Sequence, residues 1–174
     1  MMKYVAFLRA INVGGNAVIK MADLKKMFEA AGLGNVQTYI QSGNVIFESD
    51  QEPDALEKQI EHLLEKAAAY KIHAFVRTMH EVQAIAEKSP FTPKEGEVAY
   101  VTFLKKKPDT KSQQALLSFK SEADDFAFEG RQLYNLRRNP EKSIFSGNFV
   151  EKHLKMPATT RSMTTIAKIV AKYR

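Results

Sequence analysis

The stretch Tyr4-Val5-Ala6-Phe7-Leu8-Arg9-Ala10-Ile11-Asn12-Val13-Gly14-Gly15 decides how the fold begins. Its first five residues are continuously apolar, which at this length predicts a strand buried on both faces and central in a sheet. The polar and glycine residues after it predict a loop. Residues 21–31 then carry apolar side chains at helical spacing, and Gly32 stands where a helix ends in a left-handed cap. The chain therefore opens with a strand, a loop and a helix.

The elements that follow complete one structural unit. Alternation over residues 36–40, a break at Ser42-Gly43-Asn44 and the apolar run 45–47 predict a hairpin. An amphipathic helix begins at Pro53, and residues 72–76 predict a fourth strand. The order strand, helix, strand, strand, helix, strand is the split βαβ arrangement of ferredoxin-like domains.

The second half of the chain has a similar rhythm. Thr78-Met79-His80-Glu81 fits a capping box that starts a third helix. The run 98–103 predicts another buried strand, residues 112–120 a short helix, and residues 125–137 a second hairpin turning at Gly130. The string Ser42-Gly43-Asn44 recurs as Ser146-Gly147-Asn148, which suggests a duplication.

The chain ends in an amphipathic helix that contains Ile166, Ile169 and Tyr173, and we expect Thr159 or Thr160 to cap it. The sequence thus predicts an α+β protein made of two related ferredoxin-like (split βαβ) subdomains packed together, with a C-terminal helical segment. The predicted subdomains are residues 1–77 and residues 78–174.

Composition excludes several classes of protein. With 174 residues, 44% of them hydrophobic, the chain can bury a sizeable core. It has no cysteine, which excludes a disulfide framework, a thiolate zinc site and a cysteine nucleophile. No signal peptide and no run of about 18 apolar residues is present, so we expect a cytoplasmic protein with no membrane partner.

Positive charge is concentrated at the C-terminal end of the chain. Residues 1–130 hold 16 Lys or Arg against 18 Asp or Glu, whereas residues 131–174 hold 10 against 2. Such asymmetry is typical of a surface for phosphates or nucleic acid, so nucleic acid bound through residues 131–174 is one expectation. A solvated basic face without a polyanion partner is the alternative.

The loop that ends at Lys20 resembles a phosphate-binding loop in context, because it follows a buried strand and precedes a helix. The P-loop pattern fails, since Ile19 and Met21 flank Lys20 where Gly and Ser or Thr are needed. A weaker prediction survives: an anion binds near the N-terminus of the first helix, with Arg9 and Lys20 nearby. A tight structural turn is the alternative.

Other catalytic and metal motifs do not occur. His80-Glu81 lacks the second histidine of a zinc-protease helix, and Ser42 and Ser146 do not lie in a G-x-S-x-G elbow. The sequence therefore predicts no metal site and no cofactor. The acids Asp124-Asp125, Glu57, Glu61 and Glu65 are predicted to be ordinary solvated charges.

Three stretches together resemble a bacterial family known as domain of unknown function 1697. They are residues 4–15, residues 38–47 (Thr-Tyr-Ile-Gln-Ser-Gly-Asn-Val-Ile-Phe), and residues 159–165 with Lys168. The resemblance implies two related α+β subdomains and no settled activity. It points to these motif positions: Arg9, Asn12, Gly14, Gly15, Gln41, Ser42, Gly43, Asn44, Arg161 and Thr164. Ala10 and Ser162-Met163 depart from the family's usual residues.

Apart from the glycines, these motif residues are hydrogen-bonding groups with two arginines and no evident nucleophile and base, which suits a small anionic or polar ligand. We therefore expect a module that binds a phosphate-bearing or carboxylate-bearing small molecule, with Lys20 as a further contact. The alternatives are a protein that binds nucleic acid non-specifically and an enzyme that uses the same polar loops.

Overall fold

The computed structural model describes residues 1–9, 19–39, 43–68 and 71–174. Among these residues it has two four-stranded antiparallel sheets and six helices, so the predicted α+β class is confirmed. The chain divides into two compact units, Met1–Gln83 with Lys172–Arg174, and Ala84–Ala171. The predicted boundary after residue 77 lies near this division and stays a prediction. No helix in the described part of the chain is long and apolar enough to cross a membrane.

The first unit is built on a sheet with the strand order β2-β3-β1-β4, in which all neighbouring strands are antiparallel. Its elements are β1 (Met2–Arg9), α1 (Met21–Ala30), β2 (Gly34–Tyr39), β3 (Asn44–Ser49), α2 (Pro53–Ala68) and β4 (His73–Thr78). They are followed by α3 (Met79–Glu87), which begins in this unit.

The prediction that β1 is a central strand is confirmed. Ala6 and Leu8 share one hydrophobic cluster with Leu24 of α1 and Ile60 of α2. Phe7, which points to the opposite face because side chains alternate along a strand, is also fully buried. A strand buried on both faces is continuously apolar, as this one is.

Strand β4 lies at an edge of this sheet, and helical carboxylates accept hydrogen bonds from its outward-facing amides. Glu61 accepts from Ala74 at 3.0 Å, Glu57 from Val76 at 2.8 Å and Glu81 from Thr78 at 3.0 Å. The hydroxyl of Thr78 in turn accepts from the Glu81 amide at 3.0 Å. The predicted capping box at the start of α3 is therefore confirmed.

The second unit repeats the connectivity of the first, with the sheet order β6-β7-β5-β8. Its elements are β5 (Val98–Leu104), α4 (Thr110–Leu117), β6 (Asp124–Glu129), β7 (Gln132–Arg137), α5 (Gly147–Leu154), β8 (Ala158–Ser162) and α6 (Met163–Tyr173). The last two residues of α6 belong to the first unit.

The predicted cap of the C-terminal helix is wrong. Thr159 and Thr160 lie in β8, where their extended backbone pairs with β5 and the hydroxyls of Thr160 and Thr102 are 2.8 Å apart. The hydroxyl of Ser162 accepts a hydrogen bond from the Thr165 amide at 3.2 Å and so caps α6 instead. The boundary between β8 and α6 was not evident from the sequence, because β8 is polar and leads directly into the helix.

The repeated Ser-Gly-Asn string does not mark equivalent positions. Gly43 and Asn44 belong to the turn and first residue of the β2–β3 hairpin, whereas Ser146 is the N-cap of α5 and accepts from the Phe149 amide at 3.1 Å. The two units are related through the order of their strands and helices. The string is therefore no evidence for that relationship.

Candidate functional site

Two motif stretches meet at the end of β1. The Leu8 amide donates to the Gly43 carbonyl oxygen at 2.8 Å, and Phe7 pairs with Asn44 across β1 and β3. Arg9, the last residue of β1, therefore lies beside the β2–β3 turn. Gly43 has φ 85°, in the left-handed region that favours glycine. The fold thus brings the first two family motifs to the same end of one sheet.

Asn44 shapes this turn from inside the protein. Its side chain is fully buried, and its Nδ2 donates to the Tyr39 carbonyl oxygen at 3.0 Å. Tyr39 and Asn44 are paired residues at the closing end of the hairpin. The Asn44 side chain therefore ties the last residue of β2 to the first residue of β3.

Arg9 is half-buried and has an imidazole and a carboxylate in its neighbourhood. It pairs with His73 across β1 and β4, and the His73 Nδ1 lies 3.7 Å from Glu61 Oε2. The same Glu61 oxygen accepts the Ala74 amide. A guanidinium, a titratable ring and a carboxylate are therefore gathered where β1 and β4 meet.

Lys20 stands at the N-cap of α1 and is exposed. Its carbonyl oxygen accepts from the Leu24 amide at 2.9 Å, but no side chain caps the first turn. The N-terminus of a helix carries partial positive charge and amides without intrahelical partners. The exposed carboxylate of Asp23 in the first turn offsets part of this charge.

Five predicted site residues lie outside the described residues, and nothing structural follows for them. They are Asn12, Gly14, Gly15, Gln41 and Ser42. Of the predicted residues in the first unit, Arg9, Lys20, Gly43 and Asn44 are described. Arg9, Gly43 and Asn44 are brought together by the pairing of β1 with β3.

Arg161 and Thr164 belong to the second unit. The Arg161 guanidinium is buried, and its Nη1 donates to Thr159 Oγ1 at 2.8 Å and to the Thr160 carbonyl oxygen at 3.0 Å. Loss of solvent lowers the pKa of Arg161 to about 10, so it stays charged at neutral pH. Thr164 is exposed in the first turn of α6.

Two arginines of the predicted basic segment make contacts within the second unit. Arg137 donates to the Phe145 carbonyl oxygen at 3.0 Å and lies over the Tyr100 ring at 5.0 Å. Arg138 pairs with Asp125 at 3.2 Å. The aromatic residues Tyr134 and Phe145 are buried, so their rings are not available to stack on bases.

Two of the acids predicted to be solvated are buried. Asp124 is fully buried and accepts from Ser143 Oγ at 2.8 Å and from the Ile144 amide at 2.9 Å. Glu57 is 7% exposed and lies 3.7 Å from Arg77, whose side chain is fully buried. A signal for Glu57 existed in the sequence, because it precedes Ile60 by three residues and Leu64 by seven, which places it on the apolar face of α2.

No metal centre emerges from the described ranges, in which no group of three or more His, Cys, Asp or Glu residues is placed to hold an ion. The described side chains at the end of β1 include one cation, the guanidinium of Arg9, which is suited to binding an anion.

A family model described as "Protein of unknown function (DUF1697)" matches residues 1–134. A solved structure of the conserved bacterial protein SP0830 from Streptococcus pneumoniae is similar over 98% of this chain and 97% of that one, with 22% sequence identity and a TM-score of 0.76. At that identity the likeness shows a shared fold. No curated protein matches the chain.

Proposed function

We propose that this chain, which belongs to the DUF1697 family, binds a small molecule bearing a phosphate or carboxylate group at the end of β1. The observation that carries the proposal is the 2.8 Å hydrogen bond from the Leu8 amide to the Gly43 carbonyl. This bond holds Arg9 beside a left-handed glycine turn.

The chemistry of each group favours an anion. A guanidinium binds carboxylate and phosphate oxygens in pairs, and hydrogen bonds to charged groups are among the strongest in proteins. Gly43 is itself buried and its carbonyl oxygen accepts the Leu8 amide, so its part is to position the end of β1 and not to contact the ligand. Lys20 adds a flexible ammonium at the positive end of α1.

The nearby pair of His73 and Glu61 bears on the enzyme alternative. Their 3.7 Å separation is longer than the roughly 2.6–3.2 Å of a general base held by a carboxylate. Glu61 also accepts the Ala74 amide of β4, which gives it a structural role. We therefore propose binding first, with turnover as an outcome of the same screen.

Thermal-shift screening against nucleotides, sugar phosphates, carboxylic acids and oligonucleotides tests this proposal. A ligand that binds only the folded state stabilises it by about 2.7 kcal/mol at 100 times its Kd. Arg9→Gln should weaken a hit about 10- to 100-fold, because it removes hydrogen bonds from a charged group. Lys25→Gln, an exposed change on the same helix as Lys20, is the matched control and should leave binding unchanged.

Two results would contradict the proposal: no small anion raises the melting temperature, or Arg9→Gln and Lys25→Gln weaken the hit equally. Stabilisation by oligonucleotides alone, with affinity falling steeply as salt is added, would favour the nucleic-acid alternative. Consumption of the hit, lost in His73→Gln, would favour the enzyme.

We also propose a ferredoxin-like fold for each unit and a cytoplasmic location for the protein. The shared strand orders β2-β3-β1-β4 and β6-β7-β5-β8 support a ferredoxin-like assignment for each unit, and an experimental structure tests it. A cytoplasmic location is proposed from the sequence, and cell fractionation tests it.

A further inference from the structure

A polar pocket lies in the first unit, at the opposite end of β1 from Arg9. Its volume is about 320 Å³, at the lower end of the range for small-ligand sites. Lys3, Asn35, Gln37, Glu48, Lys172 and Arg174 contribute polar side chains to it. All of them belong to the first unit.

The pocket lies on the sheet face that turns away from α1 and α2. Tyr4 belongs to the cluster that packs against those helices, so its neighbour Lys3 points to the other face. Lys3 pairs with Glu48 across β1 and β3, and Gln37 pairs with Ile46 across β2 and β3. Three adjacent strands therefore form the floor of the pocket.

Two of its cations, Lys3 and Lys172, contact Tyr173 near the end of the chain. Lys3 Nζ donates to the Tyr173 carbonyl oxygen at 2.7 Å, at the C-terminal end of α6, where a cation is favourable. Lys172 Nζ lies 5.4 Å from the ring centre of Tyr173 and 5.7 Å from that of Tyr39. Contact with two aromatic faces restricts the ammonium to this side of the sheet.

The charge around the pocket is predominantly positive. The side chains that line it include three cations, those of Lys3, Lys172 and Arg174, and one carboxylate, that of Glu48. Glu48 Oε2 already accepts a hydrogen bond from Asn35 Nδ2 at 2.7 Å. A small anion would therefore meet three cations and the amide of Gln37.

We propose that this pocket is a second anion site, separate from the one at Arg9, that takes a compact ligand with a phosphate group. Lys172 and Arg174 contact the ligand directly. Lys3 keeps its hydrogen bond to the end of α6 and adds to the positive potential. The proposal does not depend on the site at Arg9.

Titration of the full chain with inorganic pyrophosphate at low ionic strength tests the second site, with amide chemical shifts as the readout. The expected result is perturbation of Asn35, Gln37 and Glu48, with binding weakened at least about 5-fold by Lys172→Gln, as befits loss of a charge-assisted contact. Arg9→Gln should leave these shifts unchanged, which separates this site from the proposed function.

Lys168→Gln is the matched control, because Lys168 is exposed on α6 and does not line the pocket. Equal weakening by Lys168→Gln and Lys172→Gln would mean general surface attraction and would overturn the proposal. Absence of pyrophosphate binding would overturn it too, as would shifts confined to residues outside the pocket. Arg174→Gln provides a second variant if Lys172→Gln alters the packing of Tyr39.

Discussion

The Asp124 carboxylate accepts a hydrogen bond from the Asn135 Nδ2 at 3.1 Å, and both side chains are fully buried. Asp124 also accepts from Ser143 Oγ and the Ile144 amide. Through these bonds it ties β6 and β7 to the segment that leads into α5. The acid therefore organises the second unit from its interior.

Asp124→Ala should destabilise the second unit strongly. The amide of the buried Asn135 and two partly buried donors, Ser143 Oγ and the Ile144 amide, would lose an acceptor, and a buried polar group left unsatisfied costs about 1–3 kcal/mol. We expect the free energy of unfolding to fall by about 2–3 kcal/mol, measured by denaturant unfolding. Asp125→Ala is the adjacent control: its ion pairs with Arg138 and Lys120 are partly exposed and contribute about 0–1 kcal/mol. Similar losses in both variants would contradict the assigned role of Asp124.

Glu57→Ala should destabilise the first unit. The change removes a carboxylate 3.7 Å from the fully buried guanidinium of Arg77 and the acceptor of the Val76 amide. Breaking a buried ion pair by removing one partner costs about 3–5 kcal/mol. Urea unfolding of Glu57→Ala and Glu57→Gln should separate the two contributions, because Gln keeps an acceptor oxygen and loses only the charge. Equal stability of Glu57→Ala and the wild type would disprove this reading.

Gly43→Ala should strain the β2–β3 turn. Its φ of 85° is in the left-handed region, where an L side chain costs roughly 1–2 kcal/mol. Gly34→Ala, at a position without a positive φ where an added Cβ meets only ordinary contacts, should cost less. Thermal unfolding of the two variants measures the difference. If Gly43 also positions Arg9, Gly43→Ala should bind the ligand more weakly than the wild type even under conditions in which both proteins are fully folded.

The ionisation of Tyr134 should appear at high pH. Desolvation, with the charge of Glu129 as a smaller cause, raises the pKa of Tyr134 to about 12. The folded state therefore holds this proton more tightly than the unfolded chain, in which tyrosine titrates near pH 10. Its contribution to stability is complete below pH 10 and is lost as the pH rises towards 12.

Phenolate absorbance during alkaline titration measures this step. We expect one tyrosine to ionise last, and Tyr134→Phe to remove that late step. Titration of all tyrosines in one transition near pH 10, with the protein still folded, would rule out the shift.

Local patterns predicted most of the fold. The apolar run of β1 is typical of a strand buried on both faces, and the turn at Gly130 is flanked by alternating segments that form β6 and β7. β8 was missed because its sequence, Ala-Thr-Thr-Arg-Ser, has no apolar alternation. Its burial comes from pairing with β5, a partner more than fifty residues earlier in the sequence.

Part of the candidate site was also predictable from local patterns in the sequence. Hairpin signals around Gly43 and the strand ending at Arg9 are local, and their juxtaposition follows once β1 pairs with β3. The burial of Arg161 and Asp124 was not predictable, because charged side chains are ordinarily exposed. Only the distant donors and acceptors that surround them explain their positions.

The carboxylates that accept the outward amides of β4 also affect how the protein behaves at high concentration. An exposed edge strand offers a row of donors on which a strand of another molecule can assemble. In β4 the amides of Ala74, Val76 and Thr78 already have acceptors, and Glu151 does the same for Ala158 in β8. Intermolecular sheet growth at these edges would first have to displace negatively charged groups, which makes aggregation there unfavourable.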